Sequence, residues 1–209
     1  NIVTKRAKVK GYNGNVAFGI SQGQKMRYGP NGSFNYKSDK LSIFSNLSYG
    51  HWDGISHQKL ERKIITNGNT ETINAYGTNE SWQSVFSGSG GIEYDNNKKM
   101  LVGFYVNGNK NDDHYLTDYQ TGIGNSTYFN YGKAVSSTKE KYNTGSPNYN
   151  LSVLQKLDST GGQVKLGLGY NNYFETVEKI IDNRFYDSND AEMTPGSNYN
   201  RLMDRTFNV

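Results

Sequence analysis

The stretch Gln163-Val164-Lys165-Leu166-Gly167-Leu168-Gly169-Tyr170-Asn171 decides the fold. Val164, Leu166, Leu168 and Tyr170 share one parity, and Gln163, Lys165, Gly167, Gly169 and Asn171 take the other. Strict alternation collects every apolar side chain on one face of an extended strand, which the longer period of a helix would not do. Six further segments repeat it around Val16-Phe18-Ile20, Phe34-Tyr36, Leu41-Ile43-Leu47-Tyr49, Trp82-Phe86-Ile92-Tyr94, Met100-Val102-Phe104-Val106 and Tyr149-Leu151-Val153-Leu157. Phe44 and Leu101 break the parity of their segments. The reading is all-β.

The connections between the segments fall into two kinds. Ser38-Asp39-Lys40, Asp95-Asn96-Asn97-Lys98 and Asp158-Ser159-Thr160-Gly161-Gly162 are short hairpin turns. Between them lie polar stretches of roughly residues 53–80, 111–147 and 178–204, read as long loops. The Ser21-to-Gly29 connection is intermediate and by order belongs with the long ones. Within 53–80, Asn67-Gly68-Asn69 is a strong turn signal between Leu60–Thr66 and Thr70–Tyr76, where strands could extend beyond a bilayer. Short turns on one rim and long loops on the other are the mark of an antiparallel up-and-down transmembrane β-barrel. Seven strands, with an eighth beginning at Arg205-Thr206-Phe207, make part of such a barrel.

Composition points the same way. Hydrophobic residues make up 33% of the chain, too few for the core of a soluble domain of 209 residues, where about 45–50% apolar is usual. Aromatics nevertheless reach 13%, which argues against disorder. No run of about 18 apolar residues offers a membrane helix, but barrel strands need only about 9–11 residues. Tyr36, Tyr49, Trp82, Tyr94, Tyr149 and Tyr170 fall at strand ends and form a candidate membrane aromatic girdle, with Trp52 and Tyr173 beside them. Tyr36 and Tyr94 take the short-turn rim and the others the long-loop rim.

Several kinds of chemistry are missing. The chain has no cysteine, hence no disulfide or thiolate site, and its 23 basic and 19 acidic residues are scattered rather than gathered into a nucleic-acid stripe. His51 and His57 lie six apart around Asp53, a spacing that joins them only if a loop folds back. Asp112-Asp113-His114 lacks a calcium-loop pattern. Gly88-Ser89-Gly90-Gly91 is followed by no helix carrying Lys-Ser or Lys-Thr, and no G-x-S-x-G elbow occurs. We expect no catalytic residues, no metal site, no cofactor and no enzyme activity. Tyr115, Tyr119, Tyr128, Phe129 and Tyr131 form the one candidate ligand surface, since aromatic rings can stack on a sugar or a chelate.

Asn1-Ile2-Val3-Thr4-Lys5 ahead of a Gly-rich alternating strand resembles the plug-to-barrel junction of TonB-dependent receptors. The stretch from Asn31-Gly32-Ser33-Phe34-Asn35-Tyr36-Lys37 through Leu41-Ser42-Ile43-Phe44 to Leu47-Ser48-Tyr49 is similar to the early strands of the outer-membrane barrel family common in Bacteroidetes. The resemblance implies a plugged barrel of 22 strands in the bacterial outer membrane, taking up a metal chelate, vitamin, glycan or peptide with energy from TonB. It divides the chain into residues 1–10, the end of a plug, and 11–209, the N-terminal part of the barrel. The first residues carry no initiator Met or apolar leader, so the sequence reads as starting inside a longer protein. The partners implied are membrane lipid and lipopolysaccharide, TonB through a plug beyond this sequence, and a surface lipoprotein. Two alternatives stay open: a small eight-stranded outer-membrane barrel with an adhesive or structural role, and a soluble carbohydrate-binding β-sandwich.

Overall fold

The computed structural model describes residues 10–66, 69–96, 99–125, 132–157, 161–193 and 198–208. They form ten antiparallel segments in one sheet: β1 (Gly11–Gln22), β2 (Met26–Lys37), β3 (Leu41–Thr66), β4 (Asn69–Asp95), β5 (Met100–Asn125), β6 (Gly132–Gly145), β7 (Asn148–Lys156), β8 (Gln163–Asn171), β9 (Tyr173–Asp187) and β10 (Asn198–Asn208). Each pairs with its neighbour in sequence, except that β5 pairs with both β6 and β7, and β9 with β6. The exception is one of naming. Lys110 faces Gly145 and Asn107 faces Asn148 in an unbroken register, so β6 and β7 are one strand interrupted where Pro147 has no N–H to give. Opposite it, Asn172 donates to the Pro147 carbonyl between β8 and β9, which continue one another likewise. The sheet is therefore an up-and-down meander of eight continuous strands. Its edges, β1 and β10, do not pair with each other, so it is open.

All seven alternating segments are strands. As expected, the short connections from Lys37 to Leu41, Asp95 to Met100 and Lys156 to Gln163 fall at one end of the sheet, with 97–98 and 158–160 outside the described residues. The long loops are the point of correction. Residues 53–66 and 69–80 continue the β3–β4 ladder until Thr66 faces Asn69, leaving the Asn67-Gly68 reversal outside the described residues. Residues 111–125 belong to β5 and 132–145 to β6, and 178–187 belong to β9. These segments are polar on both faces, so they show no alternation, yet main-chain hydrogen bonding needs none. The first connection is also tighter than expected, because Gln22 pairs with Met26.

Among the described residues the sheet has no second layer. Ala75 is the only buried hydrophobic side chain among the described residues, whereas Val16 is 88% exposed and Leu168 61%. A two-layered sandwich would bury one face of each sheet, and that arrangement is not seen here. The two faces differ sharply instead. One hydrogen-bonded row runs Tyr12–Tyr36–Ile43–Ile92–Phe104–Leu151–Leu168 across seven strand segments. On the opposite face a row runs Asn15–Ser33–Asn46–Ser89–Asn107–Asn148–Asn171, uncharged throughout. Asn148 Nδ2 donates to Asn107 Oδ1 at 3.0 Å, and Asn46 Nδ2 to Ser89 Oγ at 3.4 Å, along that polar row.

Candidate functional site

The projecting hairpins carry the polar face beyond the apolar band, and there a chain of side chains crosses five strands. Registers set Trp52 opposite Gln83, Asp113 opposite Tyr142, and Tyr115 opposite Glu140, which in turn faces Lys179. The Trp52 indole N–H donates to Gln83 Oε1, and Gln83 Nε2 donates to the Tyr115 hydroxyl. Tyr115 meets Tyr142 edge-to-face, centroids 5.8 Å apart. The Tyr142 hydroxyl donates to Glu140 Oε2 at 2.9 Å, and Lys179 closes the chain in an ion pair with Glu140 Oε1. Four residues nearer the hairpin tip than Tyr115, Tyr119 lies over Gly77 and donates to Gln58 Oε1.

The electrostatics follow from these partners. The Lys179 hydrogen bond holds the Glu140 carboxyl below its ordinary range against the opposing effect of burial, with the Tyr142 hydroxyl assisting. Glu140 in turn raises Tyr142, because the hydrogen bond needs the phenol protonated. Burial raises Asp113, the Asp112 carboxylate adds to that, and His114 opposes it. The surface offers ring faces, amides and one neutralised ion pair. This combination suits a ligand with apolar faces and hydroxyl or amide edges.

Of the tyrosines proposed from sequence, Tyr115 and Tyr119 are on this face of β5, while Tyr128, Phe129 and Tyr131 lie outside the described residues. Trp52, Gln83, Tyr142, Glu140 and Lys179 were not singled out as ligand residues. A signal for the first pair did exist: a two-residue Asn67-Gly68 turn opposes 66 to 69 and therefore 52 to 83. Nothing local pairs 115 with 140 or 140 with 179.

Tyr36, Tyr49, Trp82, Tyr94, Tyr149 and Tyr170 all stand on the apolar face by register. Tyr149 and Tyr170 stack at 6.2 Å, and the Tyr49 hydroxyl donates to Ser84 Oγ at 3.2 Å. Trp52 and Tyr173, grouped with them from sequence, face the other way. His51 and His57 lie on an extended strand, six residues apart, and do not meet. His51 Nε2 approaches Asp53 Oδ1 at 3.1 Å, and His114 Nε2 approaches Asp112 Oδ1 at 3.3 Å, each along its own strand. Asp113 points to the opposite face from Asp112. Among the described residues no three His, Asp or Glu side chains gather as a metal site.

No protein-family model and no curated protein matches this chain.

Proposed function

We propose that this sheet is a wall segment of a bacterial outer-membrane β-barrel, in a TonB-dependent receptor that binds and takes up a scarce nutrient. The carrying observation is the course of the apolar band. On β1 it runs from Tyr12 to Ile20, and on β8 from Val164 to Tyr170. The row through Tyr12 reaches β8 at Leu168, four residues above Val164, and the row through Ile20 reaches β9 at Thr176, six residues above Tyr170. Over six strand-to-strand steps of about 4.8 Å, at about 3.3 Å per residue, the band slants by roughly 25–35° against the hydrogen-bonded rows. Strands tilted about 35–45° in a flat bilayer require such a slant. On β3 the band spans Leu41 to Tyr49, about 27 Å along the strand, which at that tilt is a height of about 19–22 Å, comparable with the apolar band of about 25 Å in outer-membrane barrels.

The exposed Val, Leu and Phe then face lipid, the Asn/Ser rows face the lumen, and the tall hairpins rise outside the cell. The receptor reading is supported by the junction-like first residues and by the edges of the sheet, which leave room for further strands between β1 and β10. The Trp52–Lys179 surface is the wall on which a glycan or peptide nutrient rests. Neither cofactor nor catalysis enters this reading; TonB and a surface lipoprotein are its expected partners.

Outer-membrane fractions analysed by mass spectrometry provide the test. Detergent-dependent recovery with tryptic peptides from a long parent chain supports the receptor. An intact species near 23.5 kDa points to a small barrel. Recovery in the soluble fraction sinks the membrane reading altogether.

A further inference from the structure

On the apolar face, between β4 and β5, the sheet carries a trough of about 380 Å³. Its floor is Gly88, Gly90 and Gly108, which present no side chain, and its walls are Leu47, Phe86 and Phe174. Phe174 leans inward over Gly145, where a Cβ would come within 2.2 Å of its Cζ. Lys110 closes one end, in the row Phe86–Lys110–Gly145–Phe174. A lysine between two phenylalanines on a lipid-facing surface is costly unless its ammonium reaches the headgroup layer or an anion. Its nearest acid along the strand, Asp112, is turned to His114. Lys139 and Lys141 follow on the same face just beyond, edging a second hollow of about 340 Å³.

We propose that this trough is a binding site for lipid A, taking one acyl chain along the glycines and a glucosamine phosphate at Lys110. The inference rests on the membrane reading above. The apolar channel matches a saturated chain in length-wise contact, and the basic end matches a phosphate. Lys110 stands toward the hairpin end of the band, which that reading assigns to the outer leaflet, where lipid A replaces glycerophospholipid. Ser45, on the trough wall, pairs with Gly90, so a larger side chain there would lie over the glycine floor and occupy the channel.

The test is native mass spectrometry of the full chain extracted from outer membranes and exchanged into detergent with added diphosphoryl lipid A, its dephosphorylated form, or phosphatidylglycerol. The expected result is preferential retention of the diphosphoryl form. One charge-assisted contact is worth about 1.5–3 kcal/mol, so Lys110→Gln should weaken retention by about tenfold or more. Ser45→Leu, which keeps the face apolar and the barrel insertable, should weaken it by excluding the chain. Equal retention of phosphatidylglycerol, or lipid A retention unchanged in both variants, overturns the site. A chain recovered without detergent fails the membrane reading instead, so the two failures are distinct.

Discussion

Phe44 and Tyr105 lie on strands that are not neighbours, yet their rings meet with centroids 6.1 Å apart across Gly91. The contact exists because the residue between them has no side chain. A Cβ on Gly91 would stand 2.5 Å from Phe44 Cε1 and 2.7 Å from Tyr105 Cδ1. The Tyr105 ring runs on over Gly103, and its hydroxyl reaches Glu93 Oε1 at 2.7 Å, so Gly91 seats the aromatic pair and Gly103 leaves room for the hydrogen bond.

Gly91→Val should displace both rings and destabilise the sheet by about 1–3 kcal/mol, the usual cost of overpacking. The comparison is Gly167→Ala on the same face, where a Cβ meets nothing within 4 Å. Denaturant midpoints of the detergent-folded protein measure both. Equal midpoints for the two variants would remove the packing role given to Gly91.

Alternation on β8 allows a sharper test of which face meets lipid. Arginine at Leu166 or Leu168 should cost about 2–4 kcal/mol if these positions face the bilayer interior, and folding yield into lipid vesicles should collapse. Arginine at Gly167, between them on the polar face, should leave the yield nearly unchanged. If all three behave alike, β8 does not separate lipid from water.

β8 was legible because one of its faces is apolar and the other is not, so Val164 to Tyr170 announce the strand unaided. The upper parts of β5 and β6 were not. Asp112, Asp113 and His114, or Lys139, Glu140 and Lys141, put polar groups on both parities, and a strand wet on both sides leaves no periodic trace. The ligand surface was half legible for the same reason. Tyr115 and Tyr119 draw the eye as aromatics, but Glu140 and Lys179 acquire meaning only from a register carried by the backbone. Phe44, an exception to alternation in the sequence, is explained by its place over Gly91.

Acid should loosen the β6–β9 pairing. Glu140 titrates below its usual value of 4.5, first because of Lys179. A carboxyl lowered by folding contributes stability that is complete above the unfolded value and is lost as pH falls through the folded one. Hydrogen exchange in β6 and β9, corrected for intrinsic rates, should therefore accelerate relative to β3–β4 below about pH 4. Glu140→Gln should abolish that pH dependence. A β6–β9 pair that stays equally protected at low pH would contradict the assignment.

The protein has two tryptophans, and they stand at one height on opposite faces: Trp52 pairs with Gln83 and Trp82 with Asp53. In the proposed barrel, depth is thus held constant while the facing medium changes. Trp82 is on the apolar face, 37% exposed, and Trp52 turns to the polar wall to donate to Gln83. In vesicles of brominated phospholipid, the Trp52→Phe variant, which keeps Trp82, should be quenched more strongly than Trp82→Phe, which keeps Trp52. Iodide added to the water should quench them in the reverse order if the polar face opens to an aqueous lumen, as proposed. Equal quenching by both agents would mean that the sheet does not divide lipid from water, and the Trp52–Lys179 surface would lose its place inside a barrel.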